Sequence, residues 1–262
     1  MNHRPRKRFG QNFLHDPVII DKIIQAIRPQ PSDALVEIGP GQGAITHPLL
    51  RAAGRLTVVE LDRDLVEPLK DNAAGLGELI VYNADALSVN FCDLDGKERL
   101  RVIGNLPYNI STPLLFHLLD QHNCIRDMHF MLQKEVVDRM AASPGNGQYG
   151  RLSVMLQYRC RVTPLFTIGP GAFKPPPKVA SAFVRLEPWR EPPVQLSNEA
   201  LFATLVKQAF SQRRKTLRNT LRDLLDVEEI TALGIDPSAR AESLDLPAFA
   251  ALANRLGELR QS

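Results

Sequence analysis

The stretch Ala34-Leu35-Val36-Glu37-Ile38-Gly39-Pro40-Gly41-Gln42-Gly43 reads as a short buried strand running directly into a glycine loop, with helical character returning from about Ala44. Strand, glycine loop and helix in that order make the first crossover of a doubly wound α/β sheet. Glycines at such a turn let backbone approach a ligand closely, and the following helix N-terminus carries positive potential. The spacing is not the GxGxxG of pyrophosphate binders, and no evident catalytic His, Lys or Tyr-Lys pair lies near the later strand ends. Both points disfavour a nicotinamide-dependent dehydrogenase.

Further strands carry polar residues toward the same edge. Leu56 to Leu61 brings up Glu60, with Asp62 just beyond. A carboxylate about twenty residues past the glycine loop can accept both ribose hydroxyls of an adenosine-containing cofactor. Glu78 to Tyr82 is followed by Asp85, placed to accept from an adenine amino group. Either carboxylate alone also suits a solvated turn or a helix cap; their succession at carboxyl-edge strand ends favours a site. Leu100 to Gly104 then delivers Asn105-Leu106-Pro107-Tyr108. Asn105 offers a carbonyl acceptor, Pro107 stiffens the loop, and Tyr108 offers a face on which a base can stack. An exocyclic amine donating both hydrogens to two fixed carbonyl oxygens would point its lone pair outward at an electrophile. The same four residues also suit a strand ending in a proline turn with Tyr108 in the core.

Around this centre, Asp16 and Pro17 read as the cap and first residue of a helix bearing Ile19, Ile20, Ile23, Ile24 and Ile27 on one face. Thr112-Pro113 opens another helix, Met128 to Gln133 is a fifth strand, and Lys134 to Ala142 is helical. Leu152 to Thr163 carries both helix and strand signals. A stiff loop from Pro170 to Lys178 opens into the strand Ala182 to Leu186; Phe173 suits a base-pocket wall or the core, and Lys178 can meet phosphate. Pro188 to Pro193 reads as a domain boundary. Beyond it come helical periods at Leu201 to Phe210, Ser211 to Leu225 and Ala248 to Leu259. In the second of these, Arg214, Arg218 and Arg222 oppose Leu217, Leu221 and Leu224 as a cationic stripe, thickened by Arg213 and Lys215.

The 262 residues are 44% hydrophobic and 23% charged, the balance of an ordinary globular protein. No apolar run reaches membrane-spanning length and no apolar segment follows the basic N-terminus, so a cytoplasmic location is expected. Net charge is only +3, but basic residues crowd at Arg4 to Arg8 and at Arg213 to Arg222, which suggests a polyanionic partner. Cys92, Cys124 and Cys160 are odd in number and widely spread, fitting neither a disulfide framework nor a CxxC site. The histidines form no HxxxH pair, and no metal is expected.

Phe9-Gly10-Gln11-Asn12-Phe13-Leu14, Glu37 to Gly43, Asn105-Leu106-Pro107-Tyr108-Asn109-Ile110-Ser111 and Phe173-Lys174-Pro175-Pro176-Pro177-Lys178-Val179 together resemble the ribosomal RNA adenine N6,N6-dimethyltransferase family along essentially the full chain. Asn105 to Phe116 and Gln212 to Asn219 look more like its small-subunit (16S) branch than like the erythromycin-resistance branch. Ala180 departs from that branch, which commonly has an acidic residue there.

The resemblance implies a Rossmann-like class I methyltransferase sheet followed by a small helical domain. Residues 1–14 would be a basic arm and cofactor lid, 15–190 the catalytic domain and 191–262 an RNA-binding domain. S-adenosylmethionine would be held by Asn12, Leu14, Gly39, Glu60, Asp85 and Asn105. Asn105, Pro107 and Tyr108 would be catalytic, with Leu106, Tyr108 and Phe173 around the base. Arg213, Arg214, Lys215, Arg218 and Arg222 would meet RNA. The implied substrate is a pair of adjacent adenosines in a loop near the 3′ end of 16S rRNA, in the immature small subunit, modified by a monomeric enzyme during subunit biogenesis.

Overall fold

The computed structural model describes residues 12–94 and 99–260. The basic run Arg4 to Arg8 and the motif residues Phe9, Gly10 and Gln11 lie outside the described residues. The chain forms two compact units, one of residues 1–137 and 163–188, the other of 138–162 and 189–262.

In the first unit, β1 (Phe13–Leu14) precedes α1 (Pro17–Ile27). The Asp16 carboxylate accepts from the backbone N–H groups of Val18 at 2.9 Å and Ile19 at 3.2 Å, and Pro17 takes the position where a missing N–H costs nothing. Then come β2 (Leu35–Ile38), α2 (Thr46–Ala53), β3 (Arg55–Val59), α3 (Arg63–Ala73), β4 (Glu78–Tyr82), β5 (Leu100–Asn105), α4 (Ser111–Asp120) and β6 (Ile125–Gln133). The chain continues through α5 (Lys134–Ala141), α6 (Arg151–Arg159), β7 (Cys160–Ile168), β8 (Phe173–Lys174) and β9 (Ser181–Pro188). The ambiguous stretch from Leu152 is thus a helix handing over to a strand at Cys160.

Seven strands form one sheet in the order β4-β3-β2-β5-β6-β9-β7. The pairings among β2 to β6 are parallel, and β9 runs antiparallel to β6. The chain winds outward from β2 through β3 to β4, then restarts on the other side of β2 with β5. That reversal is the topological switch point, where the carboxyl ends of neighbouring strands diverge and leave a crevice. Close approach of β2 and β5 needs Gly104, because a Cβ there would lie 2.7 Å from the Ile38 carbonyl oxygen. β1 and β8 form a separate antiparallel pair, with Leu14 opposite Phe173. The core beneath combines Ile23 and Ile27 of α1, Leu49 and Leu50 of α2, and Leu56 and Val58 of β3.

Cys92 and Cys124 are joined in a disulfide, and Cys160 is free and buried. This corrects the reading that no disulfide fits the three cysteines. The partners are 32 positions apart, but tertiary folding brings their Cα atoms to 5.4 Å. Gln121 ties the two turns together by accepting from the Phe91 backbone N–H at 2.6 Å.

The second unit contains α7 (Glu199–Ala209), α8 (Leu217–Thr220), α9 (Val227–Ala232) and α10 (Leu246–Leu259). Its core gathers Phe202, Leu205, Val206, Leu217, Leu221, Phe249 and Leu252 with Val154 and Tyr158 of α6. It therefore includes residues 138–162, which a single boundary near 190 assigns elsewhere. Ser211 to Leu225 is not one helix. The backbone N–H groups of Leu217 and Arg218 donate to the carbonyls of Ala239 and Pro237 instead of to the preceding turn. Thr216 is extended, and α8 is a single turn. Leu217 and Leu221 reach the core either way, which is why their spacing mimics a longer helix.

Candidate active site

The glycine loop leaves β2 and the Asn105 loop leaves β5, so both open at the switch point. A cavity of about 360 Å³ lies there, and its walls include residues that follow β2, β3, β4 and β5. Asn12 and Leu14 border it from the segment before α1, and Gly39 and Gly41 from the loop after β2. Glu60 and Asp85 follow β3 and β4; Asn105, Leu106, Pro107 and Tyr108 end β5. Phe173 does not line this cavity. It is 3% exposed and packs into the core. Leu106 borders the cavity but is itself buried, its N–H donating to Met131 O at 3.3 Å.

Gly39 and Gly41 adopt positive φ angles of 66° and 57°, conformations that favour glycine. A Cβ on Gly41 would meet the Phe13 ring at 3.1 Å, so the loop passes bare backbone under that ring.

Glu60 is buried and held in place by two backbone donors, Asp62 N–H at 2.8 Å on Oε1 and Gly41 N–H at 3.2 Å on Oε2. Burial pushes its pKa up, against the pull of those hydrogen bonds. Each oxygen keeps a lone pair for a further donor. Asn83 secures the same corner by donating to the Glu60 carbonyl at 2.7 Å. Asp85 is exposed, and its Oδ1 accepts from the Leu87 N–H at 3.0 Å.

Glu37 is a site residue to which the sequence reading attached no role, though it stands two positions before Gly39. Its buried carboxylate borders the cavity and accepts from the Thr46 hydroxyl at 2.6 Å. Burial raises its pKa to about 7, outweighing the hydroxyl. No sequence signal separates this acid from an ordinary strand residue; its role depends on Thr46 opening α2 beside it.

Asn105 donates its side-chain N–H to the Asn12 carbonyl at 2.9 Å, which commits the amide nitrogen and leaves Oδ1 as an acceptor. Tyr108 is tethered at both ends. Its carbonyl accepts from the Ser111 hydroxyl at 3.2 Å, and its phenol bonds the Ser181 hydroxyl at 2.8 Å.

Known proteins resemble this chain over nearly its full length. The family described as ribosomal RNA adenine dimethylase matches residues 2–258. The chain belongs to that family. Among its relatives are proteins named ribosomal RNA small subunit methyltransferase A. That of Pseudomonas syringae pv. tomato is 58% identical over 98% of this chain and 96% of its own length. That of Pseudomonas aeruginosa is 57% identical over the same shares. A crystal structure of a dimethyladenosine transferase from Plasmodium falciparum superposes with a TM-score of 0.81 at 29% identity, covering 95% of this chain and 98% of that one. The 23S rRNA methyltransferase ErmE superposes at 0.75 with 25% identity, covering 94% of this chain and all of that one. The class I methyltransferase fold implied by the resemblance is therefore the fold of this family member.

In the second unit, Arg213, Arg214, Lys215, Arg218 and Arg222 are all exposed. Arg213 donates to the Gly147 carbonyl at 2.6 Å, and Arg222 sits 3.6 Å from Asp223. They occupy a turn, a short helix and the residues beyond it, not one helical stripe. Among the described residues no cluster of His, Cys, Asp and Glu could hold a metal, and no helix is long and apolar enough to cross a membrane.

Proposed function

We propose that the protein is an S-adenosylmethionine-dependent 16S rRNA dimethyltransferase that converts two adjacent adenosines near the 3′ end to N6,N6-dimethyladenosine. The reaction would take place in the cytoplasm, on the immature small subunit. One observation carries this reading: a single cavity is lined both by Glu60 and Asp85 and by Asn105, Pro107 and Tyr108. The lining suits the cofactor. Bare glycine backbone admits close contact, Glu60 has lone pairs for ribose hydroxyls, and Asp85 can accept from the adenine amine. Asn12, Leu14, Gly39 and Asn105 would complete that subsite. When bound, S-adenosylmethionine supplies a methyl group already activated on a sulfonium, so the residues need only position the acceptor.

The chain's own groups do that positioning. Asn105 Oδ1 and the Pro107 carbonyl accept the two amine hydrogens, which turns the N6 lone pair toward the methyl. The Pro107 oxygen already accepts from Ile110 N–H at 3.2 Å and retains a second lone pair. Tyr108 stacks on the extruded base, as enzymes acting on a base within RNA require. The exposed Arg213 to Arg222 segment would bind phosphates.

Labelled methyl transfer to unmethylated small subunits, with large-subunit rRNA alongside, tests the reading. Dimethyladenosine in small subunits alone is the expected result. Label in large-subunit rRNA would move the substrate to the resistance branch, and cofactor binding without label would remove the enzymatic reading.

A further inference from the structure

Ser181 is the first residue of β9 and is 1% exposed. The sheet holds it firmly: it pairs with Gln133 of β6, and the preceding Ala180 carbonyl accepts from Lys134 N–H at 2.9 Å. Its hydroxyl lies 2.8 Å from the Tyr108 phenol, 73 positions away in sequence. A rigid strand thus fixes the far end of a ring whose near end stands on a loop.

We propose that Ser181 is a positioning residue for Tyr108 and that its hydroxyl matters more in the second methyl transfer than in the first. The inference rests on the dimethyltransferase reading above. In each transfer the N6 lone pair forms the N–C bond as the C–S bond breaks. The C–S electron pair stays on sulfur, neutralising the sulfonium, and one N–H proton leaves to water. Before the first transfer the amine has two hydrogens and can engage both Asn105 Oδ1 and the Pro107 carbonyl. Before the second it has one hydrogen, so one of those bonds is gone. Orientation of the monomethylated base then depends more on the stacking surface. A Tyr108 ring freed to tilt penalises that step most.

The test uses the full-length protein with unmethylated small subunits, followed by nuclease digestion and mass spectrometry of mono- and dimethyladenosine. Ser181→Ala should raise the mono-to-dimethyl ratio about 3–10-fold, the scale of one lost buried hydrogen bond. Ser181→Thr, which keeps the hydroxyl, should restore the wild-type ratio. Tyr108→Phe removes the same bond from the other side and should shift the ratio the same way, with Ser181→Ala adding little on top of it. Cofactor affinity, measured by calorimetry, should be unchanged in Ser181→Ala and Ser181→Thr. An unchanged ratio in Ser181→Ala, even with slower total transfer, would overturn the proposal, as would fully multiplicative effects in the double variant. If the wild-type protein makes no dimethyladenosine, it is the underlying functional reading that fails.

Discussion

The side-chain nitrogen of Asn105 donates to the backbone carbonyl of Asn12 across 93 positions of sequence. This bond decides which face of the amide is offered to the cavity. Asn105→Ala removes the acceptor and should lower methyl transfer by about 10²–10³-fold, the range seen when one preorganised polar group is lost. Asn105→Asp keeps an acceptor but cannot donate to Asn12, and should also fail. Circular dichroism and thermal unfolding should show both variants folded. Near-normal turnover in Asn105→Ala would remove the residue from the catalytic set.

Glu37 predicts a pH dependence of stability. Its folded pKa of about 7 lies above the ordinary value of 4.5, so the folded state holds a proton that the unfolded chain has lost between those pH values. Stability from this group is complete below about pH 4.5, falls as pH rises and levels off above about 7, a total of about 3 kcal/mol. Urea unfolding of wild type and Glu37→Gln from pH 5 to 8 should show a steeper decline in wild type, since the raised pKa of Glu60 acts in both. Parallel curves would mean that Glu37 ionises normally.

The Cys92–Cys124 bond closes a 32-residue separation. Chain entropy assigns such a crosslink about 3–4 kcal/mol. Oxidised protein should therefore unfold at higher urea than protein kept in reductant, and Cys92→Ser should match the reduced form under both conditions. Coincident oxidised and reduced curves would count against the bond.

The exposed arginines predict salt-sensitive RNA binding. Replacing Arg214, Arg218 and Arg222 with Ala should lower the slope of log affinity against log salt by about 0.7–0.9 for each phosphate no longer neutralised. Arg213 is a poorer probe, because its guanidinium also holds the Gly147 carbonyl. A slope that does not move would make the segment a solvated surface.

Local signals were legible where the chain satisfies its own hydrogen bonds nearby. Asp16-Pro17 caps α1 as its residue types require, and β4 spans Glu78–Tyr82 as its pattern indicates. What stayed hidden depends on distant partners. Ala239 and Pro237 take the N–H groups that a helix from Ser211 would need, and two separate turns meet to join Cys92 with Cys124. Phe173 is aromatic beside a proline loop, which suits a base wall or the core; its burial depends on the pairing of its strand with Leu14. The cavity walls from Glu60 to Tyr108 were readable because a parallel sheet delivers successive strand ends to one edge. The Ser181 tether was not, since it depends on β9 lying beside β6.

The pairing of β1 with β8 also bears on the order in which the protein can be made. Leu14 leaves the ribosome well ahead of its partner Phe173, which follows 159 positions later. At elongation rates of about 5–20 residues per second that gap is on the order of ten to thirty seconds. By its end the glycine loop, Glu60, Asp85 and Asn105 have all been synthesised, yet the segment that carries the Asn12 carbonyl still has no strand to dock against. A nascent chain can thus build most of the cleft early and close its last wall late.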